Sequence, residues 1–148
     1  MSDALNALLD QIGTPKQLRE LLAIEGVDDA FLEGFLQQAG AAPALDRIFG
    51  VMAERFSPER AGGRSGVVQW VVRMPDGDLP YRFAYGPHGA TAERGTARRA
   101  DVRLTVTAPV LVRLCAGRLN VVRALRERTL RFRGNPLVAA RLPRWFDY

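Results

Sequence analysis

The sequence predicts an α+β fold: a five-stranded, mainly antiparallel sheet with helices covering one face, plus N-terminal helices. Three observations carry this. Five runs alternate apolar and polar residues at the period of a strand: 67–74, 79–85, 90–94, 102–107 and 130–133. The runs before and between them repeat their apolar residues at helical spacing. The strand parity also sorts side chains by kind. Trp70, Val72, Phe83, Leu104, Val106, Leu130 and Phe132 fall on one side, and Gln69, Arg73, Arg82, Arg103, Thr105, Arg131 and Arg133 on the other. A sheet with one greasy face and one wet, basic face needs helices on one side only.

The elements follow in order. Residues 1–42 read as short helices. Ser2 can cap one carrying Leu5, Leu8, Leu9 and Ile12, and Thr14-Pro15-Lys16-Gln17 has capping-box spacing before Leu18, Leu21 and Leu22. Asp28 can cap a third with Phe31, Leu32, Phe35 and Leu36, ended by Gly40. Helices this short are unstable alone, so their stripes pack on the body or on another protein. Residues 1–42 are therefore expected to be a helical extension of a body formed by residues 43–148. Pro43 is expected to start a longer helix with Leu45, Ile48, Phe49, Met52 and Phe56 on one face. The loop 57–65 contains Gly62-Gly63-Arg64 but lacks the Gly-Lys-Ser/Thr ending of a phosphate loop. Pro75-Asp76-Gly77-Asp78 and Gly86-Pro87-His88-Gly89 are turn sequences, so the first three strands form an antiparallel meander.

The stretch from Asp101 to Pro136 organises the rest. After the strand at 102–107, Thr107 caps a helix and Pro109 suits its first turn. Val110, Leu111, Leu114 and Cys115 follow at helical spacing, and Gly117 stops the run. A second helix opens at Asn120 with Val121, Val122 and Leu125. The last strand, Leu130 to Arg133, leads through Gly134-Asn135-Pro136 into another helix. The two central helices carry more apolar surface than one sheet face needs. An ordinary core accounts for such surface, and so does the lining of a pocket for an apolar ligand.

Composition narrows the function classes. The chain has 148 residues, one histidine and one cysteine. No internal disulfide can form, no zinc site of usual type is available, and no Ser-His-Asp set can be nominated. His88 is expected on an exposed turn, Asp76 and Asp78 in a solvated one, and Asp101 as a loop or cap residue. No dinucleotide fingerprint appears. No cofactor, metal or catalytic residue is expected. A basic leader, a peroxisomal tripeptide and an apolar run of transmembrane length are not seen, and the expected setting is a reducing cytoplasm. The net charge is +5, unevenly spread. Residues 1–50 hold eight acids and three bases, so they carry −5 and the remainder +10. The basic face suits an anionic membrane surface or an acidic partner. Nucleic acid is not expected, because Trp70, Phe83 and Phe132 lie on the apolar side and cannot form an exposed stacking platform.

Specific pieces of this chain resemble the sterol carrier protein type 2 family. They are the helix end Met52-Ala53-Glu54-Arg55-Phe56, the strand and hairpin from Val68 to Tyr85, and the strand start Ala100-Asp101-Val102-Arg103-Leu104-Thr105. The turn Leu114-Cys115-Ala116-Gly117-Arg118-Leu119 and the terminal Leu130-Arg131-Phe132-Arg133-Gly134-Asn135 complete the series. Their order and spacing cover Phe49 to Phe146. Two positions depart from the pattern: Arg128 stands where the family commonly has Gly, and Asn135 where it has Asp. The resemblance implies an apolar tunnel between sheet and helices that binds sterols, fatty acids or fatty acyl-CoA without catalysis. On the strand parity and the apolar helices, the expected lining is Trp70, Val72, Phe83, Leu104, Val106, Leu111, Leu114, Cys115, Val122, Leu125 and Phe132. Leu142, Trp145 and Phe146 are expected near a mouth. The alternative is an accessory protein, or a small cyclase- or isomerase-type pocket enzyme, acting on an apolar substrate in a biosynthetic pathway. In that case residues 1–42 are a place for a partner enzyme to dock.

Overall fold

The computed structural model describes residues 28–75, 77–115 and 121–146, together with Ala23 and Gly26. The helices expected at 2–12 and 14–22, the turn at 116–119, the helix start at Asn120 and the turn residue Asp76 lie outside them. Helix α1 (Asp29–Ala39) begins where the Asp28 carboxylate accepts from the Phe31 N–H at 2.9 Å. Gly40, at φ 90°, joins it to α2 (Ala41–Arg55). The second helix thus starts two residues before Pro43, which falls in its first turn, where a missing N–H costs nothing. Strands β1 (Gly66–Met74), β2 (Gly77–Gly86) and β3 (Gly89–Arg94) form the expected meander. Then come β4 (Val102–Thr107), α3 (Ala108–Cys115), α4 (Val121–Arg126), β5 (Leu130–Gly134) and α5 (Pro136–Arg141), with a 3₁₀ turn at Leu142–Trp145.

The five strands form one mixed sheet in the order β3-β2-β1-β4-β5. Only β1 and β4 run parallel; the other three pairs are antiparallel. The register confirms the two faces. Val68, Trp70 and Val72 lie beside Phe83, Tyr81 and Leu79 on one flank and beside Val102, Leu104 and Val106 on the other. These residues share the core with Leu45, Ile48, Phe49 and Met52 of α2 and with α3. Phe49 stacks on Tyr81 at 4.3 Å and meets Trp70 edge-on at 5.7 Å.

Several details explain why these residues hold this shape. Six of the eight residues of α3 are buried. Its apolar surface goes into contacts with α1, α2, β1 and β4 together, so much of the excess seen in the sequence is core. Leu32 of α1 is buried too, so the C-terminal part of the 1–42 segment is built into the body. The outer face is drier than expected near its centre. Gln69 is buried, donating to the carbonyls of Trp70, Tyr81 and Gly95 and accepting from the Ala97 N–H, because the loop after β3 folds over it. Arg82 pairs with Glu93 on the next strand at 2.9 Å. Asp101 accepts from the Val67 N–H, and a Cβ on Gly66 would come within 2.0 Å of its carboxylate. A larger residue there would push the Asp101 and Tyr85 side chains aside.

Candidate functional site in the apolar sheet face

The face that carries the expected site residues is built across three strands. One row of side chains deserves to be followed from the edge inward. Phe132 of β5 lies opposite Leu104 of β4, which lies beside Trp70 of β1. Its outer end is open: Phe132 is 42% exposed. Its inner end is closed: Trp70 is fully buried, yet its indole N–H has no hydrogen-bond partner among the described residues. A buried donor left unpaired costs on the order of 1–3 kcal/mol and calls for an explanation.

The expected lining residues divide into two groups. Trp70, Val72, Phe83, Leu104, Val106, Leu111 and Cys115 are buried in one core, and Leu114 is half-buried against it. Leu142, Trp145 and Phe146 are buried as well, and the rings of Trp145 and Phe146 gather on Phe56, Phe83 and Tyr85 at centroid distances of 5.0 to 6.3 Å. The Ser57 N–H donates to the Trp145 carbonyl at 2.7 Å, and Arg60 Nη1 donates to the Phe146 carbonyl at 2.8 Å. These contacts tie the C-terminal turn down beside the end of α2. Val122 and Leu125 of α4 join Phe132 in the second group, at 67% and 38% exposure. Leu137 of α5 is also exposed. Apart from Phe31 of α1, the exposed large apolar side chains among the described residues sit on β5 and the two helices that flank it in sequence. Of the described side chains of α4, only Ala124 is buried.

Among the described residues, the titratable groups with shifted pKa values near this face are tied up in burial or ion pairing. Burial pushes the Cys115 thiol up to about 12, so it stays protonated and inert at neutral pH. Arg94 stands at an apolar-parity position opposite Tyr81 and reaches back to α2. Its guanidinium grips the Asp46 carboxylate through Nε at 2.7 Å and through Nη2, and the Tyr81 hydroxyl donates to the same carboxylate at 2.7 Å. Hydrogen bonding from Arg94 holds the Asp46 carboxyl below its usual value, and burial raises the Tyr81 hydroxyl. This clamp fixes α2 over the sheet. Its one sequence signal was a charged residue in the apolar parity of β3. Among the described residues, no group of three His, Cys, Asp or Glu side chains could hold a metal ion, and no helix is long and apolar enough to cross a membrane.

Fold and geometry define an α+β domain with one sheet face roofed by helices and an apolar row open at the β5 edge. The chain belongs to the SCP-2 sterol transfer family, whose pattern it matches over residues 49–147. Solved structures share the fold. Sterol Carrier Protein 2 Like 2 from Aedes aegypti is 18% identical, with 72% of this chain and 96% of that one covered and a TM-score of 0.55. The ubiquinone synthesis protein UbiJ-SCP2 is 16% identical, with 72% and 93% covered and a TM-score of 0.52. The stereoselective inverting sec-alkylsulfatase Pisa1 from Pseudomonas sp. is 22% identical over 70% of this chain, with a TM-score of 0.62. This chain spans only 16% of that sulfatase. No curated protein matches the chain.

Proposed function

We propose that the protein binds and transfers an apolar lipid that carries a neutral oxygen, a hydroxyl or carbonyl, and does not convert it chemically. The observation that carries this is the unpartnered indole N–H of Trp70 at the buried end of the Phe132–Leu104–Trp70 row. An N–H in an apolar site donates well to a neutral oxygen, whereas a carboxylate there is a buried charge without a counter-ion. Family membership supports the lipid class. The ligand runs from Trp70 along Leu104, past Val72, Val106, Leu111, Leu114 and Cys115, and leaves between Phe132, Val122 and Leu125. Helix α4 is the element that lifts to admit it, being six residues long and thinly buried. About 15 methylenes at roughly 0.8 kcal/mol each give about 12 kcal/mol gross, enough for micromolar binding after ordering costs.

The test compares a long-chain alcohol, the matching carboxylate and the matching alkane by fluorescent-lipid displacement, alongside native mass spectrometry of the gently purified protein. The wild type is expected to prefer the alcohol, and Trp70→Phe to lose about fivefold of that preference, the worth of about one hydrogen bond. A protein that binds none of the three ends the reading.

A second reading has one specific support, the likeness in fold to a ubiquinone synthesis protein. Here the domain holds a prenyl-quinone-like lipid for a partner enzyme that docks through residues 1–42, or acts on it as a small pocket enzyme. Unchanged lipid after long incubation with the purified protein separates the carrier from the enzyme.

A further inference from the structure

The face of the sheet turned away from the core carries a second site. Arg73 of β1, Arg103 of β4, and Arg131 and Arg133 of β5 line an open concavity of about 670 Å³, together with Asp78, Thr105 and Phe132. All four arginines are exposed, and none makes an ion pair among the described residues. The register sharpens the point. Arg103 lies directly opposite Arg133, and Thr105 directly opposite Arg131. Adjacent strands run about 5 Å apart, and alternate residues on one strand about 7 Å, so three guanidinium groups converge over one small patch. Like charges directly opposite each other destabilise a sheet. The same sheet solves this problem elsewhere: Arg82 on β2 is matched to Glu93 on β3. At β4–β5 the repulsion is left standing, and the single acid of the lining, Asp78 on β2, is paired in register with Arg73 and lies three strands from Arg133.

We propose that this concavity is a binding site for a small soluble polyphosphate anion. Four planar guanidinium forks against one carboxylate suit several phosphate oxygens at once. The hollow shape favours a compact ligand over a flat bilayer, and a sheet floor holds the donors in fixed register. Thr105 adds a neutral donor between Arg103 and Arg131. The arginines lie on the opposite face from the lipid reading, with Phe132 at the β5 edge bordering both, and the proposal does not rest on that reading.

Tripolyphosphate is the probe, titrated by calorimetry and by thermal shift on the full chain at low salt. The wild type is expected to bind it and melt higher in its presence. Arg133→Gln is expected to do two opposite things. Without the probe its melting temperature rises by about 1–3 °C, because the cross-strand repulsion is gone. With the probe its affinity falls at least tenfold. Asp78→Asn, which removes the one repelling charge, is expected to tighten binding. Lipid displacement by all three proteins stays unchanged. The proposal is overturned if tripolyphosphate does not bind at low salt, or if Arg133→Gln binds it as well as the wild type. It is also overturned if affinity merely tracks ligand charge, so that dextran sulfate behaves alike in every variant.

Discussion

Arg128 has a φ of 61°, the left-handed conformation that a side chain normally avoids. It occupies the position just past the end of α4. The Thr129 N–H returns to the Ala124 carbonyl at 3.0 Å and the Arg128 N–H to the Leu125 carbonyl at 3.3 Å, the bonding of a Schellman motif. Glycine is usual there, and glycine is what the family resemblance led one to expect; this chain keeps the geometry and accepts the strain. The left-handed conformation costs about 1–2 kcal/mol, and the looser unfolded chain of a glycine variant returns roughly 0.5–1 of it. Arg128→Gly is therefore expected to raise the melting temperature by about 1–3 °C. A lower melting temperature in a thermal scan would show that the arginine side chain contributes more than its backbone costs. Asn135, the other departure, serves as a cap: its side chain accepts from the Leu137 N–H at 2.9 Å.

At the scale of the element, α2 is held over the sheet by apolar packing on one side and by the Asp46 clamp at its edge. The folded-state carboxyl of Asp46 is lowered, first by its hydrogen bonds from Arg94. Its contribution to stability is present above the unfolded carboxylate value, near 3.9, and is lost as pH falls through the lower folded value. Asp46→Asn is expected to melt below the wild type at pH 7, with the gap closing progressively as the pH falls below about 4. A gap that stays constant across that range would mean the clamp works through shape and not charge. The strands were legible in the sequence because alternation at period two survives any tertiary context: Val102, Leu104 and Val106 read as one face and are one. The cap residues Asp28, Thr107 and Asn135 were legible because their chemistry is local. What could not be read was partnership across the chain. Nothing near Trp70 in sequence tells that its N–H is orphaned, and nothing near Gln69 tells that a loop buries it. Helix α3 looked like pocket lining because one cannot count from sequence how many elements will press on it.

The whole molecule divides by charge, with −5 in residues 1–50 and +10 in the rest. A carrier has to meet a surface to exchange its cargo, and the proposed gate is where greasy and basic groups coincide. Val122 and Leu125 are exposed on α4, beside Arg126 and Arg128; Arg123 on the same helix pairs with Glu127 at 2.8 Å. Anionic headgroups attract basic residues near a bilayer by roughly 1 kcal/mol each, and the apolar side chains gain by inserting. Vesicle co-sedimentation is expected to rise with the fraction of anionic lipid and to weaken between low and physiological salt. The double change Val122→Gln and Arg126→Gln should lower it severalfold, whereas Arg133→Gln on the far sheet face should leave it unchanged. The acidic segment is best tested without truncation, since removing residues 1–42 takes away α1 and its buried Leu32. Neutralising Asp3, Asp10, Glu20 and Glu25 to their amides keeps α1 and Leu32 in the chain, and binding should strengthen if this segment competes with the membrane for the basic body. Vesicle binding that ignores lipid charge and salt would sink electrostatic docking and leave delivery to a protein partner.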